Sequence, residues 1–378
     1  MGLIVNTFKN YQFRHFNIRL VIWVMALTIL GINVISSATE LSIFERKQIV
    51  GLIMGTIVML FFGLISYRFV LKFYWLFYMV NLGLLIWVKL GGAYRSGATR
   101  WIALGGFQLQ PSEFTKIFLI IFFAMYLNKY KEKLNTIWVL GGAVILFLIP
   151  LVLVLKQPDL STSIVIALIF CAIMYAAGLS YKIIGGIFAV AVPVAIVLIY
   201  LVMQPNQKIL EEYQYNRIIG FYDENNEVAE RISYQQNNSV MAIGSGGLWG
   251  KGLHNNTTTS VKNGNYISEP QTDFIFCIVG EELGFVGSSA VIILLALIVF
   301  ECIITGIHAA DTAGMVLCFG FASLVGFQSF INISVVTKMI PNTGLPLPFV
   351  SYGLSSLLSL FMGVGLVLNV SLQRKKTL

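Results

Sequence analysis

Charge is what this sequence has least of. Only 11% of its residues are Asp, Glu, Lys or Arg, against roughly 25% in soluble domains, so water cannot be the main solvent of the folded chain. The 378 residues are 57% hydrophobic, with a mean hydropathy of +0.82. A bilayer is the natural alternative, because a hydrocarbon core about 30 Å thick accepts apolar runs near 20 residues. Cysteine is scarce as well. Cys171, Cys277, Cys302 and Cys318 are scattered through apolar surroundings without paired spacing, which speaks for small packing residues and against disulfides or metal. The three histidines, His15, His254 and His308, are too far apart in sequence to argue a metal site. A dinucleotide fingerprint, zinc-ligand spacing and a nucleophile elbow are all missing, as are a coiled coil and a low-complexity tail. The glycine-rich run 244–252 (GSGGLWGKG) invites a phosphate-loop reading, which fails. The first glycine of that motif would fall on Ser245, and Gly252 stands where a hydroxyl residue must follow the lysine. The first apolar run, about 18–37, is long enough to span and shows no cleavage pattern of a secretory signal.

What is present is a succession of apolar runs. With the span length as a ruler, the chain predicts an all-α polytopic membrane protein with about ten transmembrane helices, forming one membrane domain over 1–378. The expected spans are 18–37, 48–66, 73–88, 114–128, 137–154, 161–177, 183–202, 286–304, 313–334 and 354–371. The net charge of +8 would suggest nucleic acid in a soluble protein. Here much of it sits in short loops and at the chain ends, where Lys and Arg set topology. Lys9, Arg14 and Arg19, then Arg68 and Lys72, Lys129 to Lys133, Lys182 and the closing Arg374 to Lys376 fall on one side. That side is expected to be cytoplasmic and to hold both termini. One long extracellular loop, about 203–285, separates helices seven and eight. It contains apolar stretches, 239–248 and 274–279, that suggest short helices lying on or dipping into the membrane.

Ionisable groups at membrane depth are expensive and mark a functional path or a buried pair. Glu113 and Lys116 lie three apart on one helix face, behind Pro111 at a first helical turn. They are either an intrahelical ion pair or the lining of a polar cavity. Arg100 and Trp101 precede them. Trp101 suits an interfacial anchor, and the guanidinium of Arg100 suits an anionic ligand on the outer face, such as phosphate. Asp159 is either the cap of the following helix or a site residue. Asp273 stands directly before an apolar run, where partial burial would raise its pKa and make it a usable base. The segment 342–353 (NTGLPLPFVSYG) reads as a rigid re-entrant piece, tolerated at that depth only if buried in protein or lining a cavity.

These blocks resemble the SEDS family (shape, elongation, division and sporulation). The matching stretches are 96–116 (SGATRWIALGGFQLQPSEFTK), 157–162 (QPDLST), 244–252, 269–284 (EPQTDFIFCIVGEELG) and 343–356 (TGLPLPFVSYGLSS). Leu354 departs from the second glycine that the family commonly has there, with no loss of a side-chain role. The resemblance implies ten membrane helices and a peptidoglycan glycosyltransferase of the bacterial cytoplasmic membrane that polymerises lipid II into glycan strands. It implies that Asp273 is the catalytic aspartate and that Glu113, Lys116 and Asp159 line the central cavity. Arg46, or Lys47 beside it, matches a further basic cavity residue. Arg100, Lys116 or Arg217 could stabilise the leaving diphosphate. The implied partners are lipid II, the nascent strand and a class B penicillin-binding transpeptidase, not nucleic acid. No cofactor is demanded by the sequence, although a divalent cation, Mg2+ or Mn2+, would suit a diphosphate. The short tails and the Gly-Leu-Trp-Gly-Lys block lean toward the rod-elongation (RodA) branch. A lipid flippase or transporter is the competing reading, since many spans with intramembrane charges suit one equally. A non-catalytic scaffold is a third. Clustering of polar groups toward the outer side favours surface chemistry over passage.

Overall fold

In lipid each backbone N–H and C=O must be satisfied within its own segment, and the apolar runs of this chain accordingly fold as helices. The computed structural model describes residues 11–39, 41–95, 98–104, 107–202, 204, 215, 221, 227–255, 260 and 266–375. Its helices are α1 (Ile18–Ala38), α2 (Ser42–Leu64), α3 (Tyr67–Lys72), α4 (Tyr74–Gly91), α5 (Pro111–Lys129), α6 (Ile137–Leu155), α7 (Leu160–Ala176), α8 (Tyr181–Val202), α9 (Glu227–Ser245), α10 (Ile275–Ile307), α11 (Thr312–Val336) and α12 (Leu354–Leu372). Seven of them, α1, α2, α4, α6, α10, α11 and α12, are long and apolar enough to cross a membrane. The protein is therefore a multi-pass, all-α membrane protein. The other expected spans are helical as well. Helix α5 carries Glu113 and Lys116, and α7 is 17 residues long.

Helix α12 lies at the centre, with 89% of its apolar window buried, against 22% for α4 and α6. Helix α2 shows how the approach is made. Its buried residues are Gln48, Gly51, Gly55, Met59 and Gly63, three or four positions apart and so on one face. A methyl group on Gly55 would stand 2.9 Å from the Phe361 ring, and one on Gly51 3.0 Å from Leu354. A row of glycines on α2 thus leaves room for the side chains of α12 to seat against its backbone.

Two features depart from the sequence expectation. Between α4 and α5 the chain forms a short antiparallel meander of β1 (Ala93–Arg95), β2 (Ala98–Leu104) and β3 (Phe107–Leu109). The dipeptides Ser96-Gly97 and Gly105-Gly106 that separate these strands in sequence are hairpin signals. Helix α10 begins eleven residues before the expected eighth span and is broken at Gly284, where φ is 65°. Residues 275–282 are buried throughout, in protein and not in lipid.

The break in α10 frees carbonyls on one side and N–H groups on the other. The glycine-rich turn 246–252 satisfies them. Lys251 N and Gly252 N donate to Glu281 O and Glu282 O (both 2.9 Å), and Phe285 N and Val286 N donate to Gly247 O (2.9 Å) and Leu248 O (3.1 Å). Backbones this close leave no room for side chains. A Cβ on Gly246 would run into Gly280 O, and one on Gly250 (φ 78°) into Glu282 O. The turn that resembles a phosphate loop is a splint for a broken helix. Helix α9, which precedes it, was expected on or in the membrane and packs on α10 and α11, with Gln236 Nε2 donating to Val335 O and Ser239 Oγ to Val336 O (both 2.7 Å).

Candidate active site

The polar groups gather at the end of the bundle opposite the chain termini. Pro111 at the first turn starts α5, and Glu113 and Lys116 follow on one face. Lys116 Nζ donates to Glu113 Oε1 (2.8 Å) and to Gln328 Oε1 of α11 (2.8 Å), all within the bundle, where the lysine is 1% exposed. The ion-pair reading of these residues holds, and both side chains are buried in the bundle. Glu113 Oε2 has no hydrogen-bond partner among the described residues. Below Lys116 a small cavity opens between α5, α6 and α7, walled by Phe123, Phe147, Ile166, Phe170 and Ile173.

Gln328 does more than hold the lysine. Its Nε2 donates to Pro346 O (2.8 Å), and one turn further along α11 Asn332 Nδ2 donates to both Leu345 O and Asp273 O (2.7 Å each). These two amides are the residues that sequence reasoning missed. They lie in an apolar span at a spacing of four, and buried polar groups there need partners, which was the available signal. Through them α5, the 341–353 segment and Asp273 are tied to one face of one helix. Asp273 itself is half-buried, two residues before the first helical residue of α10.

The segment 341–353 before α12 has no helix or strand and is held to its neighbours by hydrogen bonds. Ser161 Oγ donates to Thr343 O, Gln48 Nε2 to Ser351 O (3.2 Å), and Tyr352 N to Gln271 O (2.9 Å). Phe349 is buried in the left-handed region at φ 64°, a conformation rare for an aromatic residue and sustained only by tight surroundings. Asp159 caps α7, its Oδ1 accepting from Thr162 N (3.2 Å), while Oδ2 accepts from Ser112 Oγ (3.3 Å) and so joins α7 to the first turn of α5. Arg100 is turned onto that same corner: Nε donates to Gln157 O (3.2 Å), Nη2 to Pro158 O, and Nη1 lies 3.9 Å from Asp159 Oδ1. Its guanidinium braces the 157–159 turn. Trp101 beside it is half-buried.

One expected residue falls elsewhere. Arg46 is exposed on the first turns of α2, and the buried polar group of that stretch is Gln48. Arg217 lies outside the described residues. Among the described residues no group of three or more His, Cys, Asp or Glu side chains is placed to hold a metal ion.

Comparison with known proteins gives this arrangement its family. The profile of the FtsW/RodA/SpoVE family, described as "Cell cycle protein", matches residues 13–376. The chain belongs to that family. Among curated relatives of the FtsW/RodA/SpoVE kind, the probable peptidoglycan glycosyltransferase FtsW of Trichlorobacter lovleyi is 33% identical over 96% of this chain and 95% of its own. The peptidoglycan glycosyltransferase MrdB of Escherichia coli is 32% identical over the same shares. Relatives of both kinds match equally, so the similarity defines the family without choosing a branch. Among solved structures, a chain of a peptidoglycan synthase complex superposes with a TM-score of 0.78 at 27% identity, covering 94% of this chain and 97% of that one. The rod shape determining protein RodA of Thermus thermophilus gives 0.69 at 26% identity, covering 97% and 98%.

Proposed function

We propose that this protein is a peptidoglycan glycosyltransferase that polymerises lipid II into glycan strands at the outer face of the bacterial cytoplasmic membrane, with both termini in the cytoplasm. The observation that carries the reading is the polar cluster itself. Glu113, Lys116, Gln328 and Asn332 are buried in an apolar bundle, the first three hydrogen-bonded to one another and Asn332 to the backbone of Asp273, in a chain 32–33% identical over almost its whole length to proteins named for this activity.

An active site on the outer face must take a sugar already activated on a lipid. A sugar hydroxyl is a poor nucleophile and needs a general base. Asp273 takes the proton from the 4-hydroxyl of the acceptor's N-acetylglucosamine. That oxygen attacks the anomeric carbon of the N-acetylmuramic acid at the end of the growing strand, and undecaprenyl diphosphate leaves with inversion. The diphosphate needs little acid assistance but does need cationic stabilisation. Lys116 has one N–H beyond those given to Glu113 and Gln328, and Arg100 closes the same corner of the site. A divalent cation, Mg2+ or Mn2+, arriving with the diphosphate would add to that stabilisation. The partner is a class B penicillin-binding transpeptidase that crosslinks the product.

The test is to purify the protein with its transpeptidase, supply lipid II and resolve the products on a gel. Wild type is expected to make polymer and Asp273→Asn none. Undiminished polymer from a folded Asp273→Asn variant removes the base assignment. No polymer from either, with labelled lipid II crossing liposome membranes, replaces the enzyme by a flippase.

A further inference from the structure

The splinted break in α10 carries two ion-bearing contacts that the site described above does not use. Lys251, in the glycine-rich turn, places Nζ 2.8 Å from Glu281 Oε1, with the carboxylate 1% exposed and the lysine 21% exposed. Its own backbone N–H donates to the carbonyl of that same Glu281, so two bonds join one residue pair. The neighbouring Glu282 accepts from Ser37 Oγ at the end of α1, and Ser37 Oγ in turn accepts from His254 N (2.9 Å). Three elements remote in sequence, α1, the turn and α10, therefore meet at consecutive glutamates.

Those glutamates end the short buried helix 275–283, whose other end is Asp273. The segment is about 13 Å long at 1.5 Å per residue. A cation at a helix C-terminus complements the macrodipole, and a buried carboxylate without its partner is strongly disfavoured. The helix has no covalent straight run into the membrane span, because Gly284 breaks it. Its axial position and rotation are instead fixed by the contacts at its two ends, Asn332 on Asp273 O at one and the Lys251 and Ser37 contacts at the other.

We propose that Lys251 and Glu281, backed by Ser37 and Glu282, are positioning residues for Asp273: they lock the 275–283 helix so that the carboxylate at its mouth stays at a fixed place against α11. This rests on the reading of Asp273 as the general base. Base geometry matters at the ångström scale, and a shift of that size from a remote change costs up to about a hundredfold in rate. Lys251→Met is expected to lower turnover roughly ten- to a hundredfold while leaving the KM for lipid II in place. Lys251→Arg, and the exchanged pair Lys251→Glu with Glu281→Lys, keep or regain activity.

Cys277 supplies a readout independent of turnover. It is the third residue of the 275–283 helix, near its Asp273 end, and is buried, as are Cys302 and Cys318, while Cys171 is exposed. In a Cys171→Ser background, maleimide labelling followed by mass spectrometry reports the three buried thiols separately. Lys251→Met is expected to speed labelling of Cys277 roughly tenfold by local opening, with Cys302 and Cys318 unchanged, and Lys251→Arg to restore protection. Unchanged Cys277 labelling with unchanged turnover in Lys251→Met overturns the proposal. So does equal acceleration at all three cysteines, which would mean general loosening. Asp273→Asn, run in the same polymerisation assay, separates the cases. If it is inactive while Lys251→Met is wild-type, the lock fails and the base stands; if it is active, the base assignment fails first.

Discussion

A buried ion pair is weak ground for stability but a sharp probe of role, and Glu113 with Lys116 offers it. Removing the lysine alone leaves a carboxylate in a site where it is 2% exposed, and breaking such a pair costs about 3–5 kcal/mol. Lys116→Met is therefore expected to unfold at clearly lower temperature than wild type. The double change Glu113→Gln with Lys116→Met removes both charges and should recover most of that loss. If the lysine only closed a helix, the double variant would also polymerise lipid II. We expect it to be stable and inactive, which thermal unfolding in detergent and the gel assay measure side by side. Recovery of activity together with stability would remove Lys116 from the site. Much of this was legible in the sequence. The spacing of three gave the pair, Asp159 before a helical run gave the cap, and Asp273 stood out by its apolar neighbours. Gln328 was not legible, because its role depends on Lys116 and Pro346, which lie 212 and 18 residues away in the chain.

The turn 246–252 and the helix it repairs belong together as one element. Sequence reading found the membrane part of α10 and a short helix at 274–279, but placed that piece on or in the membrane, since an apolar run reads alike whether lipid or protein covers it. What distinguishes the two is the break at Gly284, and Glu281-Glu282-Leu283-Gly284 announces it only when the partner turn is known. Because the two backbones touch at Gly246 and Gly250, glycine is required at those two positions. Gly250→Ala would place a methyl group against Glu282 O and hold alanine at φ 78°, a conformation costing roughly 1–3 kcal/mol on its own. The expected outcome is a folded bundle with a displaced 275–283 helix: Cys277 becomes reactive, polymer formation drops, and α12 stays protected from hydrogen exchange. Gly244→Ala, where a methyl group meets nothing within 4 Å, should behave as wild type. Equal behaviour of the two substitutions would mean that the close approach does not govern the turn.

Across the whole molecule the two ends are built for different tasks. At the termini end, polar residues satisfy each other. Asn369 Oδ1 accepts from Tyr67 N and Gln373 Nε2 (2.7 Å each), and its Nδ2 donates to Tyr11 OH (3.0 Å) and Gly63 O (2.8 Å). Tyr67 OH donates to Asp311 Oδ2 (2.8 Å), which also receives Arg68 Nε (3.1 Å). Burial, aided by the Asp311 charge, pushes the Tyr67 phenol well above its usual range, so the hydroxyl remains a donor at any working pH. At the site end, by contrast, Glu113 Oε2, Gln157 Oε1, Asn332 Oδ1 and Thr343 Oγ1 are buried without a partner among the described residues. Unsatisfied polar atoms cost stability, and under the proposed function they are available to a polar sugar substrate. Asn369→Ala should then act only on stability. Four groups lose a bond, and of these Tyr11 OH keeps Leu64 O and Gln373 Nε2 keeps Ser66 Oγ; at about 1–3 kcal/mol for each group left unsatisfied, the unfolding temperature falls by several degrees. Turnover per folded molecule at low temperature stays at the wild-type level, because no residue of the site touches Asn369. Gln328→Leu should differ in kind: leaving Lys116 Nζ and Pro346 O each short of a partner lowers the unfolding temperature as well, but turnover per folded molecule falls far below the wild-type level. Thermal scans paired with initial rates on the same preparations decide it. A variant pair that loses stability and rate in proportion would mean that the bundle works as one cooperative unit, with no division between the end that holds the fold and the end that does the chemistry.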